Sequence, residues 1–72
     1  DNAIAEYNIM LKELPEEGRV YYRLGLAYRK KGSIDLAEDA FKKTIEHSPF
    51  TDEEEKAFIN LSEIKKEKEK KR

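Results

Sequence analysis

The residues able to do chemistry in this chain are few, and their spacing suits binding better than bond-breaking. His47 is the only histidine and there is no cysteine, so no imidazole pair or thiolate can serve nucleophilic or metal chemistry. No Ser-His-Asp set, glycine-rich phosphate loop or activated nucleophile pair runs through the sequence. No enzyme activity, cofactor or metal is therefore expected. The Asp52-Glu53-Glu54-Glu55 run could touch a divalent cation, but consecutive helical residues point in different directions and cannot close one coordination shell. Four acids in a first helical turn are better read as partners of the helix dipole. Arg19 and Arg23 are one turn apart, a spacing that lets two guanidinium groups hold one carboxylate through charge-assisted hydrogen bonds. Lys65 to Arg72 carries six basic and two acidic residues. It could give a salt-dependent tether to nucleic acid or to an acidic membrane surface, but no aromatic residue is interleaved to stack on a base. A solvated, fraying helix end is the preferred reading of that tail.

Bulk numbers narrow the field further. With 72 residues the chain is one domain, small enough to be marginal alone. Charged residues make up 43%, yet the net charge is only −1, which argues against a whole-surface electrostatic grip on nucleic acid. Hydrophobic residues, at 38%, recur at helical spacing, so most of the chain is expected to fold. No apolar run approaches the roughly 20 residues of a membrane helix, and no signal-peptide pattern is read in these residues, so neither is expected of this stretch. The first residue is Asp1 and not Met, so a fragment of a longer chain is expected. Cytoplasm is the default compartment. Abundant Lys and Glu with one Met and no Cys resemble a thermophile's composition.

Four helices must position these residues, at about 2–14, 16–31, 34–48 and 52–70, giving an all-α fold. In the first, Ala3, Tyr7, Met10 and Leu14 form one apolar stripe, Ile4 and Leu11 a second, and Ile9 lies off both. Apolar residues thus cover more than half the circumference, as in a helix sandwiched between two others. Pro15 is expected to close this helix and open the next, with Glu16 and Glu17 in its first turn. Val20, Tyr21, Leu24, Ala27 and Tyr28 form the second helix's buried stripe, and Gly32 ends it. Gly25 lies mid-helix, where glycine costs ~1 kcal/mol relative to alanine. Close approach of a neighbouring helix is the expected offset. Ser33 or Asp35 caps the third helix, whose inner face is Ile34, Ala37, Phe41, Thr44 and Ile45. Ser48-Pro49 stops it. Thr51 to Glu54 has the form of a capping box. Ala57, Phe58, Leu61 and Ile64 are the fourth helix's apolar stripe.

The pattern repeats. Ala3, Tyr7 and Pro15 stand 34 residues before Ala37, Phe41 and Pro49. Tyr21-Tyr22-Arg23-Leu24-Gly25 stands 37 before Phe58-Ile59-Asn60-Leu61-Ser62. With Tyr21, Leu24, Gly25, Tyr28, Ala37, Phe41 and Pro49 at these spacings, the chain resembles the tetratricopeptide repeat family over about residues 3 to 64. Tyr21 stands where the family prefers Trp, and Thr44, Ser62 and Lys65 replace its usual alanine, glycine and tyrosine. The resemblance implies antiparallel helix pairs stacked as a short right-handed α-solenoid. It divides residues 1–72 into the second helix of a truncated repeat (1–15), one complete repeat (16–49) and a closing helix with a charged tail (50–72).

The same resemblance implies a function class, a protein-interaction module or scaffold whose concave groove holds a peptide or protein segment. It maps that groove onto Arg19, Tyr22, Arg23, Leu26, Arg29 and Lys30, continued by Asn60 and Glu63. A carboxylate clamp of the kind some members carry would need Lys and Asn residues on earlier repeats, which this chain does not contain. The alternative is structural. Stacked repeats need about three copies for stability, and a chain that starts in mid-repeat leaves Ile4, Ile9 and Leu11 to face a missing helix or a partner subunit. Ile9 and Leu36 also occupy positions where the family usually carries charge. A homo-oligomer through Ile4, Ile9, Leu11 and Leu36 is the expectation on that reading. Neither specific nucleic-acid binding nor membrane insertion is expected. His47, in the last turn of the third helix, is expected to serve the helix end.

Overall fold

The computed structural model describes residues 2–70. Asp1, Lys71 and Arg72 lie outside them, and so do the ends of the expected 1–72 domain and the last two residues of the basic tail. Four helices follow in order: α1 (Asn2–Glu13), α2 (Gly18–Lys31), α3 (Ile34–His47) and α4 (Asp52–Lys70). Each packs on its neighbour in sequence, and α4 also returns to α2. Short connections force neighbours to run antiparallel, and the result is the stacked helix-pair architecture expected of such a repeat.

The core sits on α3. Ala37, Phe41, Ala57 and Ile64 form its fully buried centre, with Tyr22, Tyr28, Ile34, Ile45 and Leu61 packed around it. A second cluster joins Ile4, Leu24 and Ala40 across α1, α2 and α3. Thr44 is also fully buried, and its hydroxyl donates to the Ala40 carbonyl at 3.1 Å. The bond satisfies a polar group that burial would otherwise make costly. A Cβ placed on Gly25 would lie 2.7 Å from the Phe41 ring, so the close approach expected there is present, and its neighbour is the core's largest side chain. Gly32 ends α2 at φ 95°, and the backbone N–H groups of Gly32 and Ser33 both donate to the Tyr28 carbonyl. That geometry needs a left-handed residue and falls to glycine.

The α1–α2 corner differs from the expectation. Pro15 does not open α2. Pro15 and Glu16 form a turn closed by the Glu17 N–H on the Leu14 carbonyl at 3.1 Å. The Tyr21 hydroxyl pins this turn by donating to the Pro15 carbonyl at 2.9 Å. Glu17 is therefore the residue before the helix, and its carboxylate accepts the Arg19 N–H at 3.4 Å. Ser33 holds the capping position of α3 without a side-chain capping bond, and Asp35 lies in the first turn. At α4, Thr51 Oγ1 accepts the Glu54 N–H at 3.2 Å, while Glu54 reaches back to the Phe50 N–H at 3.0 Å. The box is thus present but displaced by one residue on its return leg. Phe50 supplies the bend with φ 66°.

Two apolar stripes are turned from their expected faces. Ile4 is buried and Leu11 half-buried against α2 and α3, while Met10 and Leu14 stand 49% and 59% exposed. On α4, Ala57 and Ile64 go inside, but Phe58 is 54% exposed and Ile59 52%. The reason is local: α4 meets α3 through Ala57, Ile64 and Leu61, and Phe58 lies one position round from that seam.

The described part of the tail, to Lys70, is helical and is tied to α3 through Lys68. Lys68 donates to Asp35 at 2.9 Å and to Glu38 at 3.1 Å, clipping the end of α4 to the start of α3. The hydrogen bond to Asp35, then that to Glu38, raises the Lys68 pKa above its ordinary 10.5, against a smaller opposing effect of desolvation. A raised pKa means that the clip's contribution is full below the unfolded lysine value and lost as pH climbs through the folded one. Thermal melts of the native chain and of Lys68→Met should therefore differ below pH 10.5 and converge well above it. A gap that persists unchanged in strong base would show that Lys68 acts through packing alone.

Candidate protein-interaction surface

One face of α2 and the adjoining face of α4 form a continuous surface. On α4 the residues come at positions 53, 56, 60, 63 and 67, alternating three and four apart, the rise of one helical stripe. Opposite them α2 presents Arg19, Tyr22, Arg23, Leu26 and Arg29. Four of these, Arg19, Tyr22, Arg23 and Leu26, line a shallow hollow of about 260 Å³ together with Glu53 and Lys56 of α4. Tyr22 and Leu26 supply its aromatic and apolar part. Tyr22 is half-buried because its ring leans on Phe41 at 6.0 Å, and Leu26 is 39% exposed. Its rim is charged: Arg19, Arg23 and Lys56 against Glu53, a surplus of two positive charges (3 − 1). Arg19 lies 3.7 Å from Glu53 and is largely exposed, so its guanidinium is held only loosely.

The lower half of the surface is a different object. Arg29 Nη1 donates to Asn60 at 2.7 Å and to Glu63 at 2.8 Å, and Nη2 donates to Glu67 at 2.9 Å. The Glu63 hydrogen bond, with the Glu67 pair behind it, raises the guanidinium's pKa further against partial desolvation. The family resemblance maps Arg29, Asn60 and Glu63 onto a groove; the structure joins them as a strut between α2 and α4. Lys30 lies in a neighbouring hollow of about 250 Å³ with Arg23, Leu26, Ala27, Ala3 and Tyr7. Lys56 and Glu67 have no role in the sequence reading, and Glu53 enters it only within the acidic run. Their three-and-four spacing on the stripe of Asn60 and Glu63 is the signal that marks them.

The four residues assigned to self-association do not form one patch. Ile4 and Leu11 pack within the chain, so they are not open to a partner in the way expected. Ile9 is 59% exposed and Leu36 50%. Leu11 and Leu36 do line one hollow of about 290 Å³ between α1 and α3. His47 stacks on Tyr21 with centroids 5.4 Å apart and planes 17° from parallel, closing the end of the α2–α3 pair. Among the described residues no helix is long and apolar enough to cross a membrane.

Comparison with curated proteins and with solved structures finds no significant match. The family model of the tetratricopeptide repeat matches residues 18–50, which span α2, its Gly32 turn, α3 and the bend after it. The matched stretch contains the Gly25–Phe41 contact and the aromatic, leucine and alanine positions that surround it. Residues 18–50 are therefore similar to one tetratricopeptide repeat, a unit that in its family generally mediates protein–protein interaction, and a further helix flanks the matched stretch on either side.

Proposed function

We propose that the α2–α4 hollow is the partner-binding surface, and that it takes an extended acidic segment of another protein. The observation that carries this reading is the combination in one concavity of a half-buried Tyr22, a part-exposed Leu26 and a rim with three cations to one acid. An apolar side chain of the incoming segment rests on Tyr22 and Leu26. A flanking carboxylate meets Arg19 and Arg23, whose planar donors suit it. The Arg29 strut fixes the angle between the two helices and so the width of the hollow. This is the helix-groove logic in which the scaffold supplies rigidity and a few side chains supply the contact.

The test uses labelled short peptides with one central leucine, flanked in one set by Glu and in the other by Lys. The acidic set should bind more tightly and weaken as salt is added. Arg19→Glu together with Arg23→Glu should weaken it about tenfold or more, the factor that one lost charge-assisted hydrogen bond of about 1.5 kcal/mol produces. Both side chains are exposed, so the melting temperature should hold. Acidic-peptide affinity that survives the double reversal would overturn the assignment.

A further inference from the structure

Each helix of this chain has a counterpart two places along. α1 matches α3 at a spacing of 34, and α2 matches α4 at 37. The α2–α3 contact is the most extensive in the fold. Its counterpart would join α4 to a helix of the α1 type, and no helix among the described residues occupies that place. We infer that a second copy of the chain fills it: the α1 of one copy seats on the outer face of α4 of another, head to tail, so that α4 and α1 together rebuild the α2–α3 pair across the interface.

The exposed residues fit this pairing. Within the chain, the Lys43 ammonium lies over the Tyr21 ring at 5.5 Å. The counterpart of Lys43 is Ile9 and that of Tyr21 is Phe58. A cation over a phenol is thus replaced by an aliphatic chain over a phenyl, and these are two of the exposed apolar side chains of α1 and α4. Tyr28 and Ala40 share the cluster beneath Leu24. Their counterparts are Lys65 and Glu6, opposite charges facing each other across the seam. Gly25 gives way to the small Ser62, and Phe41 to Tyr7. Phe41 is fully buried because α2 and α4 cover it from two sides, whereas Tyr7, packed against the cluster of Ile4, Leu24 and Ala40 with no α4 counterpart over it, is half-buried. Phe58, Ser62 and Lys65 form one exposed stripe at spacings of four and three, so one helix can cover all three.

The contact is heterologous: each copy offers two different faces, and repetition builds an open row. Ser62 carries a Cβ where Gly25 has none, so the helices approach less closely and the contact between copies is looser than the one inside the chain. Association should accordingly depend on concentration.

Sedimentation velocity from micromolar to near-millimolar chain should show mass rising past the dimer. Ile9→Glu blocks one face and Phe58→Glu the other. Both positions are exposed, and unchanged far-ultraviolet circular dichroism will show that both variants fold. Each variant alone should be monomeric. Mixed, they should form a one-to-one heterodimer and stop there, because the Ile9 face of one variant still fits the Phe58 face of the other. A native chain that stays monomeric throughout overturns the inference and leaves the α4 face to a different polypeptide. An Ile9→Glu monomer beside an associating Phe58→Glu overturns it in favour of symmetric pairing through α1.

Discussion

Phe41→Ala should leave no cooperative thermal transition. Phe41 is the largest fully buried side chain, held by α3 between α2 and α4. Truncating a buried Phe to Ala typically costs about 3–5 kcal/mol, part of it from the cavity left behind. A domain of this size rarely holds more than about 3–5 kcal/mol in total, so the loss matches the whole margin. The site is also poorly placed to collapse. Its walls are Gly25 on one side and Ala57 with Ile64 on the other, from different helices, and filling the void would mean moving a whole helix. Circular dichroism between ice temperature and boiling checks this. A variant that melts cooperatively within a few degrees of the native chain would show that α2 and α4 close the gap.

Gly25→Ala should destabilise the chain by roughly 1–3 kcal/mol, the usual range for overpacking a filled core. The sign is what makes this prediction sharp. Helix propensity alone favours alanine over glycine by about 1 kcal/mol mid-helix, so a solvent-facing glycine would give the opposite result. Here the new methyl would stand 2.7, 2.8 and 2.9 Å from three atoms of the Phe41 ring. The ring cannot swing aside, because it is fully buried. Either α2 lifts away from α3 or the ring leaves its preferred rotamer, and each outweighs the propensity gain. Urea titration gives the free energy directly. A variant more stable than the native chain would mean that the α2–α3 crossing is soft. Pairing Gly25→Ala with Phe41→Leu, which frees the space above the methyl, should recover part of the loss that Gly25→Ala shows alone, and a double-mutant cycle reads that coupling.

The architecture was legible from residue spacing because local rules agreed with the global fold. Tyr21, Leu24 and Tyr28 mark one face, Ala37 and Phe41 another, and Lys31-Gly32-Ser33 the turn between them. The helix limits inferred from Pro15, Gly32, Pro49 and Thr51 came within about two residues of the observed ones, the usual scatter of helix ends. Gly25 announced a close neighbour because a mid-helix glycine is costly without one. Gly18 gave no such signal at a helix start. Yet a Cβ there would collide with Ser48 Oγ and stand 3.1 Å from its backbone nitrogen.

The candidate surface was legible only in part. Arg19, Tyr22, Arg23 and Leu26 are named by the family resemblance, which maps a groove onto that face of α2, and the structure sets the four around one hollow. The roles of Arg29, Asn60 and Glu63 did not follow, since whether an arginine awaits a partner or braces two helices depends on what lies across from it. Glu63 and Glu67 lie 34 and 38 residues away along the chain. For the same reason Lys68, one cation in a run of them, revealed nothing of its bonds to Asp35 and Glu38.

By itself the sequence determined what periodicity and local chemistry can encode: four helices, their turns, the helix-pair repeat at Tyr21 to Pro49 and the residues of its core. Those are short-range properties, written within one turn of a helix or one loop. Only the tertiary structure decided which side of α1 and α4 faces inward, that Ile4 is core while Met10 and Phe58 are surface, and which charges are struts and which are open. An amphipathic helix with apolar residues over more than half its circumference has no preferred face until a neighbour arrives. The neighbour's position is set by contacts 30 or more residues apart, such as Lys68 with Glu38, which no local pattern records.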